Sequence, residues 1–318
     1  MHKLFFYISI LALFFGFSRA NAQQDAQFSF YMKNMLFYNP AFAGTEGITQ
    51  MTLIHRQQWA GYDGTYSDGG APTTSVFSMT TPIYRLKSGF GAHVVNDNLG
   101  PLNNLEMQVS YAYHLGIKKS KLSFGVRAGL FSQSINVGEY RAIHPDDELL
   151  LNGDESQIRP DMALGVYFRS EKYFAGLSFN HLLKSEFNFG VNAVKNPLEN
   201  HAYLTMGYIH EVNFDVKLSP SFMVQTDFNE YSFILGGLIY YKDQVWGGVS
   251  YRQSDDINAM LGYNFLKDKS LSFGYSFGYV ISQQDAKKPT THEVLVSYQL
   301  PVNPGSGKKI IRTPRFRH

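Results

Sequence analysis

The sequence predicts an all-β fold: a transmembrane outer-membrane β-barrel of about 14 antiparallel strands, with short periplasmic turns and longer external loops. Three observations predict it. Apolar residues recur at every second position in segments of about ten residues, the length of a barrel strand. The positions between them hold Gly, Ser, Gln, Glu, Arg and His, too polar for the core of a soluble sandwich. The connections between segments alternate between short and mostly longer. No stretch beyond residue 22 is long and apolar enough for a membrane helix, and a closed barrel is the other way to cross a bilayer.

Residues 1–22 read as an export signal. Lys3 begins a basic region, Leu4 to Phe17 is almost wholly apolar, and Ala20-Asn21-Ala22 is a small-x-small cleavage site. Cleavage is expected between Ala22 and Gln23. The apolar run falls short of the roughly 20 residues a spanning helix needs. No Cys follows it, so no lipoprotein is expected. Removal of Lys3 and Arg19 leaves a mature chain of zero net charge, since the 28 basic residues then fall level with the 26 acidic ones.

Residues 23–47 are polar-aromatic and rich in Asn and Gly. Two readings stand open: an N-terminal periplasmic or lumenal segment that folds into the barrel or lines its periplasmic mouth, and a flexible leader. Phe28, Phe30, Tyr31, Phe37 and Phe42 are costly to leave in water, but chain ends are often disordered.

The barrel is expected over 48–300. Its segments are 48–58, 73–81, 87–97, 103–116, 121–136, 159–169, 172–182, 200–212, 216–227, 231–241, 245–253, 257–266, 270–282 and 292–300. Phe273, Tyr275, Phe277 and Tyr279 alternate with Gly274, Ser276 and Gly278; Met107, Val109, Tyr111 and Tyr113 alternate with Gln108, Ser110 and Ala112. Successive side chains of a strand point to opposite faces, so the first set faces lipid and the second the lumen. Tyr167, Tyr240 and Trp246 on the inner face suggest a filled lumen. Glycines within strands, such as Gly89 and Gly91, allow close approach of neighbouring backbone.

Connections 59–72, 98–102, 137–158, 183–199 and 283–291 are the longer ones, and those between them are short. Long loops lie outside the cell in such barrels, so both termini are expected in the periplasm. Residues 301–318 lose the alternation and form a basic periplasmic tail. Lys308, Lys309, Arg312, Arg315, Phe316 and Arg317 are its expected partner-binding residues, with charge to steer an encounter and apolar groups to bury.

Composition narrows the function. Charged residues make up 17% and aromatics 15%, which excludes a disordered chain. The absence of Cys excludes a disulfide scaffold and thiolate chemistry. A formal net charge of +2 is too balanced for a nucleic-acid-binding surface. No nucleophile, dinucleotide or P-loop motif is present, so no enzyme, cofactor or catalytic residue is expected. His114, Arg127, Arg169, Asp227 and Glu293 read as a polar lumenal network. Carboxylates between His144 and Glu155 offer calcium ligands but match no EF-hand spacing, so they read as a solvated acidic loop, and no metal site is expected.

The segment Gln24-Asp-Ala-Gln-Phe-Ser-Phe-Tyr-Met32 precedes Phe37-Tyr-Asn39-Pro40-Ala-Phe-Ala-Gly44 and the strand end His55-Arg56-Gln57-Gln58-Trp59. Further on stand Arg159-Pro-Asp161, Gly165-Val-Tyr167, Phe174-Ala-Gly-Leu-Ser178 with His181-Leu-Leu183, and Thr313-Pro-Arg-Phe316. This pattern resembles the PorP/SprF family of type IX secretion outer-membrane proteins. A longer first external loop, with Gly-Thr-Tyr-Ser-Asp-Gly-Gly before Pro72, departs from it. The resemblance implies a barrel of the type IX secretion and gliding motility system. Such a barrel supports secretion or surface attachment of a large client such as an adhesin, through protein binding. It implies partners among the periplasmic and outer-membrane components of that machine, besides outer-membrane lipid. The residues leave open an outer-membrane transporter for small apolar solutes, which also suits fourteen strands.

Overall fold

The computed structural model describes residues 25–62, 70–136, 155–189, 194–253, 255–282 and 287–300. The cleavage site Ala22–Gln23, most of the acidic loop and the tail carrying Lys308, Lys309, Arg312, Arg315, Phe316 and Arg317 lie outside the described residues.

Fourteen strands close a barrel: β1 (Thr49–Gln57), β2 (Thr73–Ile83), β3 (Ser88–Leu99), β4 (Leu102–Ile117), β5 (Ser120–Ile135), β6 (Glu155–Arg169), β7 (Tyr173–Asn180), then β10 (His201–Tyr208), β12 (Val216–Thr226), β13 (Tyr231–Tyr241), β14 (Val245–Arg252), β15 (Asp256–Phe265), β16 (Leu271–Val280) and β17 (Thr290–Leu300). Each pairs antiparallel with its neighbour, β7 pairs with β10, β10 with β12, and β1 with β17, so the wall has no free edge. Closure pairs every ladder amide, which a bilayer demands. Among the described residues no helix is long and apolar enough to cross a membrane.

Every expected segment corresponds to one barrel strand, and the differences lie at the connections. The expected loop 98–102 is a tight turn at Gly100-Pro101, because β3 and β4 continue pairing to Leu99↔Leu102 and Gly100 takes φ +65°. The expected loop 183–199 carries the hairpin of β8 (Glu186–Phe189) and β9 (Val194–Pro197). Phe187 and Leu198 pack on Phe131 there. The two-residue β11 (His210–Glu211) extends a turn at the opposite end.

The outward face is apolar. Phe273, Tyr275, Phe277 and Tyr279 are exposed, whereas Ser276 and Glu293 are buried inside. Exposed Tyr84, Tyr113, Tyr173, Tyr241 and Tyr263 cluster towards the short-turn end, as in the aromatic girdle of an outer-membrane barrel.

Residues 25–47 run through the lumen. The segment has a 3-10 turn at Tyr31–Lys33, one α-helical turn at Met35–Tyr38 and another 3-10 turn at Pro40–Phe42. Asn39 sets the last of these: its backbone is extended, its side chain accepts the Ala41 N–H at 2.9 Å, and Pro40 fills the first position. Gly44 (φ +69°) and Gly47 (φ +74°) then turn the chain into β1. Phe28, Phe30, Tyr31, Phe37 and Tyr38 are at most 4% exposed and pack with Ile54, Val76, Tyr203, Met223, Trp246 and Leu295 of the wall. Each buried aromatic of this kind contributes about 1.5–3 kcal/mol relative to exposure, a gain unavailable to a flexible leader. The main hydrophobic core thus lies between plug and wall.

Candidate functional site

The plug runs the length of the lumen. Its first described residue, Asp25, meets His181 and His201, which flank a long connection. Its last turn meets the short turn at Tyr84, whose hydroxyl donates to the Gly47 carbonyl. Leu300 leaves the barrel at this second end, paired with Thr49. The described chain therefore begins at the long-connection mouth and ends at the short-turn mouth, because residues 25–47 traverse the lumen before β1 starts. The expectation that placed both ends on one side did not include that traverse.

Polar anchors fasten the plug at three levels. Near the long connections, the Glu293 carboxylate accepts the Ser29 and Phe30 N–H groups at 2.7 and 2.9 Å. Arg56 faces Glu293 at 3.7 Å and Asp256 at 3.4 Å, and donates to the Gln27 carbonyl at 2.8 Å. Arg252 adds pairs to Asp255 at 3.1 Å and Asp256 at 3.7 Å. These groups are nearly all buried, so each charge depends on its partners.

The second anchor is Asp25. His181 bonds Asp25 at 2.8 Å through Nε2 and Asp161 at 3.0 Å through Nδ1. Tyr203 donates its hydroxyl to Asp25, and Gln108 donates to Asp161 at 2.9 Å. Burial alone raises the Asp25 carboxyl, but His181 and His201 beside it bring it well below the usual carboxylate range. Burial alone lowers the His181 imidazole, but Asp25 and Asp161 together hold it well above its usual value. His181 thus bridges two carboxylates, one through each ring nitrogen.

The third anchor lies deeper. His93 meets Glu106 at 3.0 Å, and Arg127 donates to the Leu36 carbonyl at 3.3 Å. Ser78 donates to Asn34 and Ser178 to the Tyr38 carbonyl.

Below these anchors, the Asn39–Gly44 segment nests on a strip of wall glycines. A Cβ on Gly125 would sit 2.5 Å from the Pro40 carbonyl carbon, one on Gly89 2.6 Å from Gly44 Cα, and one on Gly91 2.7 Å from Leu36 Cδ1. Asn39 donates to the Val166 and Leu177 carbonyls at 3.1 and 3.3 Å, and the Gly44 N–H reaches Thr80 Oγ1 at 2.6 Å. Two cavities between plug and wall measure about 10 and 20 Å³. Each has room for one water at most, against the roughly 150 Å³ that a benzene-sized cavity requires.

The structure separates the motif residues by face. Asn39, Pro40 and Gly44 dock the plug, and Arg56 reaches inward to anchor it. His55 points outward and bonds Ser75 at 2.8 Å. Gln57 is exposed, the Gln58 N–H donates to the Pro72 carbonyl, and Trp59 (φ 51°) packs edge-on against Tyr62 with Lys287 5.2 Å from its ring. Of the expected polar network, Arg127 and Glu293 contact the plug, and Arg169 pairs with Glu46 of it. The His114 side chain bonds Ser123 rather than the plug among the described residues. Asp227 does not belong: it caps the β12–β13 turn through the Asn229 and Glu230 N–H groups. Asp25 and Asp161 stand in segments of the family resemblance, but no spacing along the chain signals that they meet His181, His201 and Tyr203.

The family model of the type IX secretion system membrane protein PorP/SprF matches residues 20–298. No curated protein matches the sequence. Solved outer-membrane structures similar in fold include two toluene transporters. The toluene transporter TbuX of Ralstonia pickettii is 13% identical with a TM-score of 0.51, over 84% of this chain and 93% of that one. The toluene transporter TodX of P. putida is 12% identical with a TM-score of 0.51, over 85% of this chain and 94% of that one. At that identity the likeness is one of fold.

Proposed function

Because the chain belongs to the PorP/SprF family of type IX secretion system membrane proteins, we propose that it is an outer-membrane barrel that acts by binding proteins. It supports secretion or surface attachment of a large client, such as an adhesin, and works with periplasmic and outer-membrane parts of the secretion machine. The filled lumen carries this reading. Three layers of buried anchors and a glycine strip hold the plug against the wall, and cavities of about 10 and 20 Å³ offer a solute no path. What remains for function is the two mouths. The long connections lie at one mouth, and Leu300, which precedes the basic segment 301–318, leaves the barrel at the other. The orientation that suits the function has the long connections outside and the tail in the periplasm. There Lys308, Lys309, Arg312, Arg315, Phe316 and Arg317 meet a periplasmic component.

Deletion of the gene tests the proposal. The expected result is loss of one or a few large surface proteins from cells whose other type IX cargo is unchanged. Pull-down of the detergent-solubilised barrel should recover the same client. An unchanged surface proteome, together with toluene uptake that depends on the protein, would replace this reading by a solute transporter.

A further inference from the structure

We propose that Asp25, His181 and His201 form a zinc-type divalent metal site that latches the start of the plug to the barrel wall. Donor atoms of the three residues lie within 4.8 Å of one another. They come from three places in the chain: the first described residue of the plug, the residue after β7, and the first residue of β10. Register explains the meeting of the imidazoles. His201 pairs with Asn180 across the β7–β10 ladder, so His181 stands beside it with ring centroids 5.7 Å apart.

The spacing suits a small ion. Tetrahedral zinc with bonds of about 2.0–2.1 Å requires donor atoms roughly 3.3–3.4 Å apart. His181 Nε2 lies 2.8 Å from Asp25 Oδ1, and His201 Nδ1 lies 3.7 Å from Asp25 Oδ2. The two contacts are to different oxygens of one carboxylate, and all three donors lie within 4.8 Å of one another, so an ion between them draws the widest pair together by up to about 1.4 Å. Binding displaces the proton between His181 Nε2 and Asp25, which leaves to solvent, and His201 gives up the Nδ1–H it donates to the Glu199 carbonyl at 3.1 Å by moving to its Nε2–H tautomer. Water takes the fourth position.

The surroundings have the form that metal-ligating histidines require. The other ring nitrogen of His181 bonds Asp161, which Gln108 holds in turn, an arrangement that fixes the ring and raises its basicity. Tyr203 orients the Asp25 carboxylate. Two imidazoles and one carboxylate select a borderline ion of the zinc type. Calcium and magnesium ask for six or more oxygen ligands and do not fit.

The test uses the mature protein without a histidine tag, purified in detergent and stripped with chelator. Calorimetric titration with zinc chloride should show one saturable site per chain. His201→Ala and Asp25→Asn should each weaken it at least about 100-fold, and Asp161→Asn, which keeps all three ligands, about 10–100-fold. His292→Ala, at a half-buried histidine bonded to Tyr275, should leave it unchanged. Heat-modifiable gel mobility checks that each variant retains its barrel. Should a variant fail to fold, cobalt(II) bound to the wild-type chain decides: intense visible bands of a four-coordinate nitrogen–oxygen site support the proposal, and the weak bands of an octahedral aquo ion overturn it. No saturable binding up to about 100 μM zinc in the folded wild type, or equal affinity in folded His201→Ala, also overturns it.

Discussion

Replacing Glu293 by Ala should loosen the plug and leave the barrel standing. The Glu293 side chain is fully buried and its carboxylate is the partner of two plug amides, Ser29 N–H at 2.7 Å and Phe30 N–H at 2.9 Å. Alanine leaves both donors buried and unpaired, at about 1–3 kcal/mol each, hence about 2–6 kcal/mol together. Arg56 loses its 3.7 Å partner but keeps Asp256 and the Gln27 carbonyl. The ladders from β17 to β1 and β16 are backbone bonds that the substitution does not touch. Hydrogen exchange followed by mass spectrometry reads the effect. At about 1.4 kcal/mol per decade, amides of residues 28–31 should exchange roughly 30-fold to 20,000-fold faster, while Leu295 in the ladder stays protected. Glu293→Gln keeps one acceptor oxygen and should fall between. Exchange of the plug within threefold of wild type, in a barrel of normal gel mobility, would refute the anchor.

Three further outcomes are expected. Gly125→Ala drives a methyl into the Pro40–Ala41 backbone, so residues 39–43 should lose exchange protection and assembled barrel should decrease; normal protection there would contradict the glycine strip. Phe273→Arg, on the exposed outer face, should reduce assembly yield by the roughly 2–4 kcal/mol a lipid-facing cation costs, whereas Phe273→Leu should assemble normally, and equal yields would count against the facing. An epitope inserted at Gly153 should be labelled on intact cells and one after His318 should not, and the reverse pattern would invert the proposed sidedness.

The sequence by itself determined the barrel. Alternation of Phe273, Tyr275 and Phe277 with Gly274, Ser276 and Gly278 specifies which face each strand turns to lipid, because the side-chain period is two whatever the strand pairs with. Fourteen such runs gave the strand count, and the N-P-A-F-A-G and H-R-Q-Q-W segments gave the family. Those signals are local, carried by residues within a dozen positions of one another.

What occupies the lumen was a tertiary decision. Ser276 reads as lumen-facing from its neighbours, but only the packed structure shows it 1% exposed in a filled interior, where an arginine would find no room. Gly89 and Gly125 read as places of close backbone approach, and only the fold shows that the approaching backbone is the plug rather than a neighbouring strand. Arg56 belongs to a recognisable motif, yet its partners Asp256 and Glu293 are about 200 residues or more away, brought together by closure of β1 on β17. Asp25 and His181 stand in recognisable segments, but nothing along the chain shows that they meet His201. They meet because β7 pairs with β10 and because hydrophobic burial of Phe28, Phe30 and Phe37 draws the segment into the barrel. Contacts made by such burial depend on shape at long sequence separation, and no periodicity along the chain encodes that.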